Sequence, residues 1–266
     1  TETWVRPSAK TACSTWGDIA FRVQLVLAES AKAWFWHVEL ENTSAEAVTC
    51  ELIHTQDIGI AHYGAARLNE FYVSQYVDHA PLGHADTGVA VASRQNQSMG
   101  GRCPWTVIGS LGKAAAWSTD ALQFHGLATR AGDGPVALTS GLPGKRLQHE
   151  HSLVAIQDEP FVLEPGAKSQ RGFFGWFEAD KPAATSAEDV CWIDAALALP
   201  EAACPPWPGE RSGSCPAQSL FTSAPLLDAE ELNEAETSAI FSPFPRHEER
   251  ESGRLRSFFT GENRHV

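Results

Sequence analysis

The residues best suited to chemistry lie between Ile53 and His79, where amides, carboxylates, tyrosines and histidines alternate with apolar side chains more densely than elsewhere in the chain. Gln56 and Asp57 come first, then Asn69 and Glu70, then Tyr72, Gln75, Tyr76, Asp78 and His79. Amides and carboxylates grip hydroxyls, and aromatic rings stack on the apolar face of a pyranose, so the set suits carbohydrate binding. These nine residues are the candidate substrate-binding positions. A plainer reading competes with it: two strands joined by a polar loop whose side chains buttress one another. Asp57, Glu70 and Asp78 could also supply a carboxylate pair for glycosidic cleavage, but the required spacing is a property of the fold and not of the sequence.

Other chemistries find little support. Nucleophilic hydrolysis has no G-x-S-x-G elbow to act through. Ser98-Met99-Gly100-Gly101-Arg102 lacks the spacing of a phosphate-cradling loop and reads as a bend beside Cys103-Pro104. His149 and His151 are two apart on one strand face, the spacing of two ligands to one metal ion. No third ligand accompanies them at a recognisable spacing, so no metal is expected.

The elements that must position these residues read mainly as strands. Phe21, Val23, Leu25 and Leu27 alternate with Arg22, Gln24 and Val26, and Trp34, Trp36, Val38 and Leu40 with Phe35, His37, Glu39 and Glu41. Glu41 to Ser44 reads as a turn into a third strand, Val48 to His54, completing a three-stranded meander. Trp16, Trp34 and Trp36 read as core. Further short strands are predicted over 88–93, 105–111, 114–118 and 147–156. Phe161 to Glu164 and Gln170 to Glu178 read as a hairpin about Pro165-Gly166. Its second strand is apolar on both faces, as an inner strand of stacked sheets would be. Ser186 with Glu188 and Asp189 signals a helix start, and Pro200 ends that helix. A proline-rich linker follows, then helical spacing over 228–240 and a closing hairpin from Arg254.

Composition bounds the rest. A chain of 266 residues, 43% hydrophobic, can bury a large core. The net charge of -13, from 33 acidic against 20 basic residues, disfavours a nucleic-acid partner. The six cysteines form no C-x-x-C and fit a reduced, cytoplasmic setting. Neither a membrane span nor a signal peptide is visible. The start at Thr1 without methionine, and the close at Val266 as a strand begins, read as a segment of a longer protein.

Several segments together resemble a known family: Trp16-Gly17-Asp18-Ile19-Ala20-Phe21, Trp34-Phe35-Trp36, Gln56-Asp57-Ile58-Gly59, Asn69-Glu70, Tyr72 to His79 (YVSQYVDH), Ser257-Phe258-Phe259 and Arg264-His265-Val266. They resemble the amino-terminal part of glycoside phosphorylases of the cellobiose phosphorylase group, glycoside hydrolase family 94, and most of all the 1,2-β-oligoglucan phosphorylases. The resemblance implies a mainly β fold, an antiparallel β-supersandwich of the galactose-mutarotase type with a short carboxy-terminal helical and linker segment. It divides the chain into a β-supersandwich over 1–180, a connecting segment over 181–245 and a returning hairpin over 246–266, ahead of an (α/α)6 barrel. In that family a barrel aspartic acid protonates the glycosidic oxygen while inorganic phosphate attacks the anomeric carbon with inversion. The implied partners are a β-glucan oligosaccharide and the downstream barrel, with a homodimer left open. Phosphate is co-substrate, no cofactor is implied, and no catalytic residue falls within this chain. Two rival readings are a stand-alone carbohydrate-binding or assembly module and part of a β-glucan hydrolase or transglycosylase.

Overall fold

The computed structural model describes residues 9–127, 134–147, 151–207, 232–241, 247–261 and 264–265. They belong to two compact units, 1–209 and 210–266.

The first unit is built from antiparallel strands. The alternating segments near the start form β1 (Ala9–Trp16), β2 (Ile19–Leu27) and β3 (Ala33–Asn42), a meander with β2 in register against β3 from Ile19↔Asn42 to Leu27↔Trp34. Then come β4 (Val48–Cys50), β5 (Ile53–Asp57), β6 (Val77–His84), β7 (Gly88–Gln95), β8 (Trp105–Ser110), β9 (Ala114–Asp120), β10 (Ser152–Asp158), β11 (Phe161–Leu163) and β12 (Lys168–Glu178). Hydrogen bonding links them in the order β1-β2-β3-β12-β8-β7-β9-β10-β5, with β6 also on β7. This is the mainly β, antiparallel architecture that the period-two patterning predicts.

One junction in that order differs from the others. β7 meets β9 through a single parallel bridge, Gly88 to Ala114. There the sheet doubles back and becomes two layers. Val154 and Ile156 of β10 pack against Val91, Ile108 and Phe173 of the first layer, and His54 of β5 stacks on Phe173 with ring centroids 5.1 Å apart. Gly88 has φ +73, and a Cβ there would lie 2.3 Å from the Ala114 carbonyl oxygen, so only glycine permits the corner. β11 and β4 extend the β10–β5 pair as a small ladder, Phe161↔Cys50 to Leu163↔Val48, which packs on Ile19, Val38 and Leu40.

Within the first layer, β12 lies between β3 and β8. Alternation along it sends Phe173 into the space between layers and Phe174 to the opposite face. Phe174 packs there with Phe35, Trp105 and Val107, and this face is covered by Ile193 and Ala196 of the helix Cys191–Leu197. The two-faced apolar pattern is therefore met by a sheet on one side and a helix on the other. The Ser186 N–H donates to the Asp189 carboxylate at 2.8 Å, as the helix-start signal predicts, and Lys181 pairs with Asp189 at 2.8 Å. So residues 187–197, expected in a connecting segment, contribute to the core of the first unit.

Two predicted pairings are corrected. β4 does not extend the β1–β3 meander, and β11 does not form a hairpin with β12; β4 and β11 pair with each other instead. The change of partner coincides with Asn42, fully buried where the chain changes layer. Its amide donates to the carbonyls of Glu46 (2.7 Å) and Leu163 (2.9 Å) and accepts from the Ser44 N–H (2.9 Å). These bonds tie both layer crossings together. Trp34 and Trp36 pack against the core, whereas Trp16 is 81% exposed.

The second unit holds the helix Glu234–Ile240, capped by Asn233, and a three-stranded antiparallel sheet, His247–Glu251, Arg254–Gly261 and Arg264–His265. The predicted helical stretch 228–231 lies outside the described residues.

Candidate functional site

The polar segment after β5 is a loop carrying two short helices, α1 (Tyr63–Leu68) and α2 (Glu70–Ser74), where the sequence reading had only a loop. Asn69 starts α2: its side-chain oxygen accepts the Tyr72 N–H at 3.0 Å, a cap that satisfies one of the helix's free donors. Val73 and Ser74 are buried beneath the helix. The Ser152 hydroxyl donates to the Ser74 carbonyl at 3.3 Å and the Gln95 amide donates to the Val73 carbonyl at 3.3 Å, so α2 is fastened to the ends of β10 and β7.

On this base the candidates fall into three groups. His151, just before β10, stands between two carboxylates: Nε2 is 3.2 Å from Asp57 Oδ1 and Nδ1 is 3.4 Å from Glu70 Oε1. The Phe71 ring meets the same imidazole edge-on at 6.4 Å. Tyr72 and Tyr76, one helical turn apart, form an edge-to-face pair with centroids 5.2 Å apart and hydroxyls 3.0 Å apart. The hydrogen bond to Tyr72 holds the Tyr76 phenol above its ordinary pKa, with the neighbouring phenolate charge adding to it. Asp78 forms an ion pair with Arg146.

The remaining candidates are placed differently. Gln56 is on β5 two residues after His54, on the opposite face from Asp57. His79 is 1% exposed, with Nδ1 2.8 Å from the Ser93 hydroxyl. Burial pushes its pKa down to about 4, against the raising effect of Asp78 and with the lowering effect of Arg146. Gln75 is exposed at the end of α2. The structure thus gathers Asp57, Glu70, Tyr72, Tyr76 and Asp78 into an outward rim, uses Asn69 as its helix cap, and turns Gln56 and His79 inward.

Sequence reasoning missed Phe71 and Arg146, and it considered His151 only as a metal ligand. Nothing local marks Arg146, whose partner is far away in the chain. His149 lies outside the described residues. The nitrogens of His151 face different carboxylates on opposite sides of the ring, so the three groups do not converge on one ion; among the described residues no cluster suits a metal.

Two antiparallel layers, backed by a helix and edged by this rim, define a layered β domain. Its family follows from comparison: residues 5–175 match the SOGP N-terminal domain, and the chain belongs to that family. A 1,2-β-oligoglucan phosphorylase of Listeria innocua is 29% identical over 168 residues, covering 63% of this chain and 15% of that protein. The chain therefore corresponds to a small part of that relative's length. Among solved structures, one described as a kojibiose phosphorylase from the human microbiome aligns with TM-score 0.40 and 11% identity over 73% of this chain and 19% of its own. A galactose mutarotase related enzyme of Lactobacillus acidophilus aligns with TM-score 0.31 and 9% identity, over 67% and 71%. At these scores the two structures add nothing to the assignment.

Proposed function

We propose that this chain is the non-catalytic β domain of an inverting glycoside phosphorylase that converts β-1,2-oligoglucan and phosphate to α-glucose 1-phosphate. The observation that carries the reading is the family match over residues 5–175, with a 1,2-β-oligoglucan phosphorylase among its relatives. The domain scaffolds an (α/α)6 barrel, and the α2 rim helps to wall the substrate cleft. The barrel supplies the general acid that protonates the leaving oxygen and the site where phosphate attacks the anomeric carbon.

The rim is consistent with binding without turnover. Each of its carboxylates already faces a basic side chain: Asp57 and Glu70 face His151, and Asp78 faces Arg146. Tyr72, 46% exposed, and Phe71, 54% exposed, offer ring surface against which a pyranose can pack. The cytoplasm is the compartment we assign, in keeping with free thiols at Cys50, Cys103, Cys191 and Cys204.

The test is a phosphorolysis assay on β-1,2-glucan oligomers. The 266-residue chain alone should release no glucose 1-phosphate, and the same chain joined to a family barrel should release it. Robust release by the chain alone would overturn the reading. Saturable oligomer binding with no activity in either form would point instead to a stand-alone binding module.

A further inference from the structure

Beside the bend that leads from β5 into α1 lies a cleft of about 470 Å³. Two turns form it. In the first, Ile60, Ala61 and His62 lead into α1, and Ile60 has φ +31, a left-handed backbone that strains a β-branched residue. In the second, Gly100 and Gly101, at φ +65 and +84, reverse the chain so that the Met99 N–H donates to the Arg102 carbonyl at 2.8 Å. The turns meet at Gly100, where a Cβ would lie 3.4 Å from His62 Nε2. Pro104, Phe177 and Ala179 complete the lining, and none of the rim residues belongs to it.

The charge of this cleft is one-sided. The Arg102 side chain is exposed and has no hydrogen bond, ion pair or ring contact among the described residues, although the chain carries 33 acidic against 20 basic residues. Arg22, Arg146 and Lys181, by contrast, each face a carboxylate. No carboxylate lines the cleft. Asp180, next to the lining residue Ala179, accepts the Cys103 N–H at 2.9 Å instead. That bond and the Met99 pairing hold the backbone on both sides of Arg102. Lys32 brings a second cation close, 5.8 Å from the centre of the Phe177 ring. A guanidinium stays charged across the physiological range, so the sign of the site does not depend on a titration. His62 can add an N–H whether its ring is neutral or charged. The remaining side chains, chiefly Ile60, Met99, Pro104 and Phe177, are apolar.

We propose that this cleft binds a small organic anion, a single ring bearing one carboxylate or phosphate, with Arg102 gripping the anionic head and the ring packed on Phe177 and Met99. The fork of a guanidinium matches the paired oxygens of either head. The volume is at the lower end of ligand pockets, which suits one ring with its head. A neutral sugar would leave the guanidinium without a counter-charge, and bare phosphate would leave the apolar wall in contact with water. The site is separate from the rim, and the inference does not rest on the phosphorylase reading.

Benzoate and phenyl phosphate carry the two heads, benzamide keeps the ring without the charge, and inorganic phosphate keeps the charge without the ring. Each is titrated calorimetrically into the 266-residue chain at pH 7 and low salt. Benzoate or phenyl phosphate, according to the head the cleft takes, should bind saturably at one site. That anion should bind at least about tenfold more tightly than benzamide, the ratio that one charge-assisted hydrogen bond supplies. It should also exceed inorganic phosphate by about tenfold, through its apolar contact. Arg102→Met keeps much of the stem and removes the charge, so it should reduce the favoured anion to the level of benzamide. Absence of saturable binding by both organic anions, an equal affinity for benzamide or for inorganic phosphate, or anion binding unchanged in Arg102→Met would each overturn the assignment. The comparison of the four probes on the unsubstituted chain decides the matter even if the variant misfolds.

Discussion

β5 separates two unlike environments. On one side His54 faces an apolar interior, where it stacks on Phe173 and its Nε2 is left without a partner. On the other, Asp57 joins an exposed rim where each carboxylate is matched by a basic group. Residues of one strand thus meet opposite physics, because strand geometry alternates their direction. The interior derives its stability from contact and the rim from exchangeable polar pairs. Substitutions should therefore be costly in the first and mild in the second.

The largest effect should follow Phe173→Ala, which removes the ring shared by both layers and the surface on which His54 stacks. We expect a loss of about 3–5 kcal/mol in chemical denaturation, the usual cost of truncating a buried phenylalanine. A loss below 1 kcal/mol would mean that the layers do not depend on this contact. Acid should come next. The folded pKa of His79 is about 4 against 6.5 for an unperturbed histidine, so the fold favours the neutral ring. Its contribution is complete above about pH 6.5 and is lost as pH falls toward 4, by an amount on the order of 3 kcal/mol. Melting curves across that window should show the decline, and His79→Gln should flatten it. His54, lowered in the same direction and to a similar value, adds to the slope.

Asn42→Ala should cost roughly 1–3 kcal/mol, because the carbonyls of Glu46 and Leu163 lose their donor at the layer crossing. The smallest effect belongs to the rim. His151→Ala should change global stability by less than about 1 kcal/mol, since Asp57 is mostly exposed and water competes for the pair. It should nonetheless speed hydrogen exchange in α2, whose Glu70 loses its partner. Unchanged exchange there would show that Asn69 and the bonds from Ser152 and Gln95 hold the helix without help.

How much of this was legible depended on the range of the interaction. Alternation on β2, β3 and β12 is written in neighbouring residues, and it correctly placed Phe173 and Phe174 on opposite faces. The departure of β4 was not legible, because its three residues carry too little pattern and its partner strand, β11, comes more than a hundred residues later. Asn69 before Glu70 is a readable helix-cap signal, and the same residue types also suit a sugar-binding set, so residue type alone does not separate the two roles. His79 looked like a ligand by residue type, and only its surroundings, Ser93 above all, show it to be packed within the domain. The rim pairs with His151 and Arg146 join distant parts of the chain and could not be inferred from spacing.

The lone rung between Gly88 and Ala114 has a consequence for how such a domain can diverge. Among the described residues, strand pairing joins the layers at that rung alone, so away from it and the Asn42 crossing their alignment is inherited largely through the shapes of interlocking side chains. Relatives could then slide one layer over the other by exchanging bulky residues for small ones, and so reshape the space between them while keeping every strand and the glycine at the fold line.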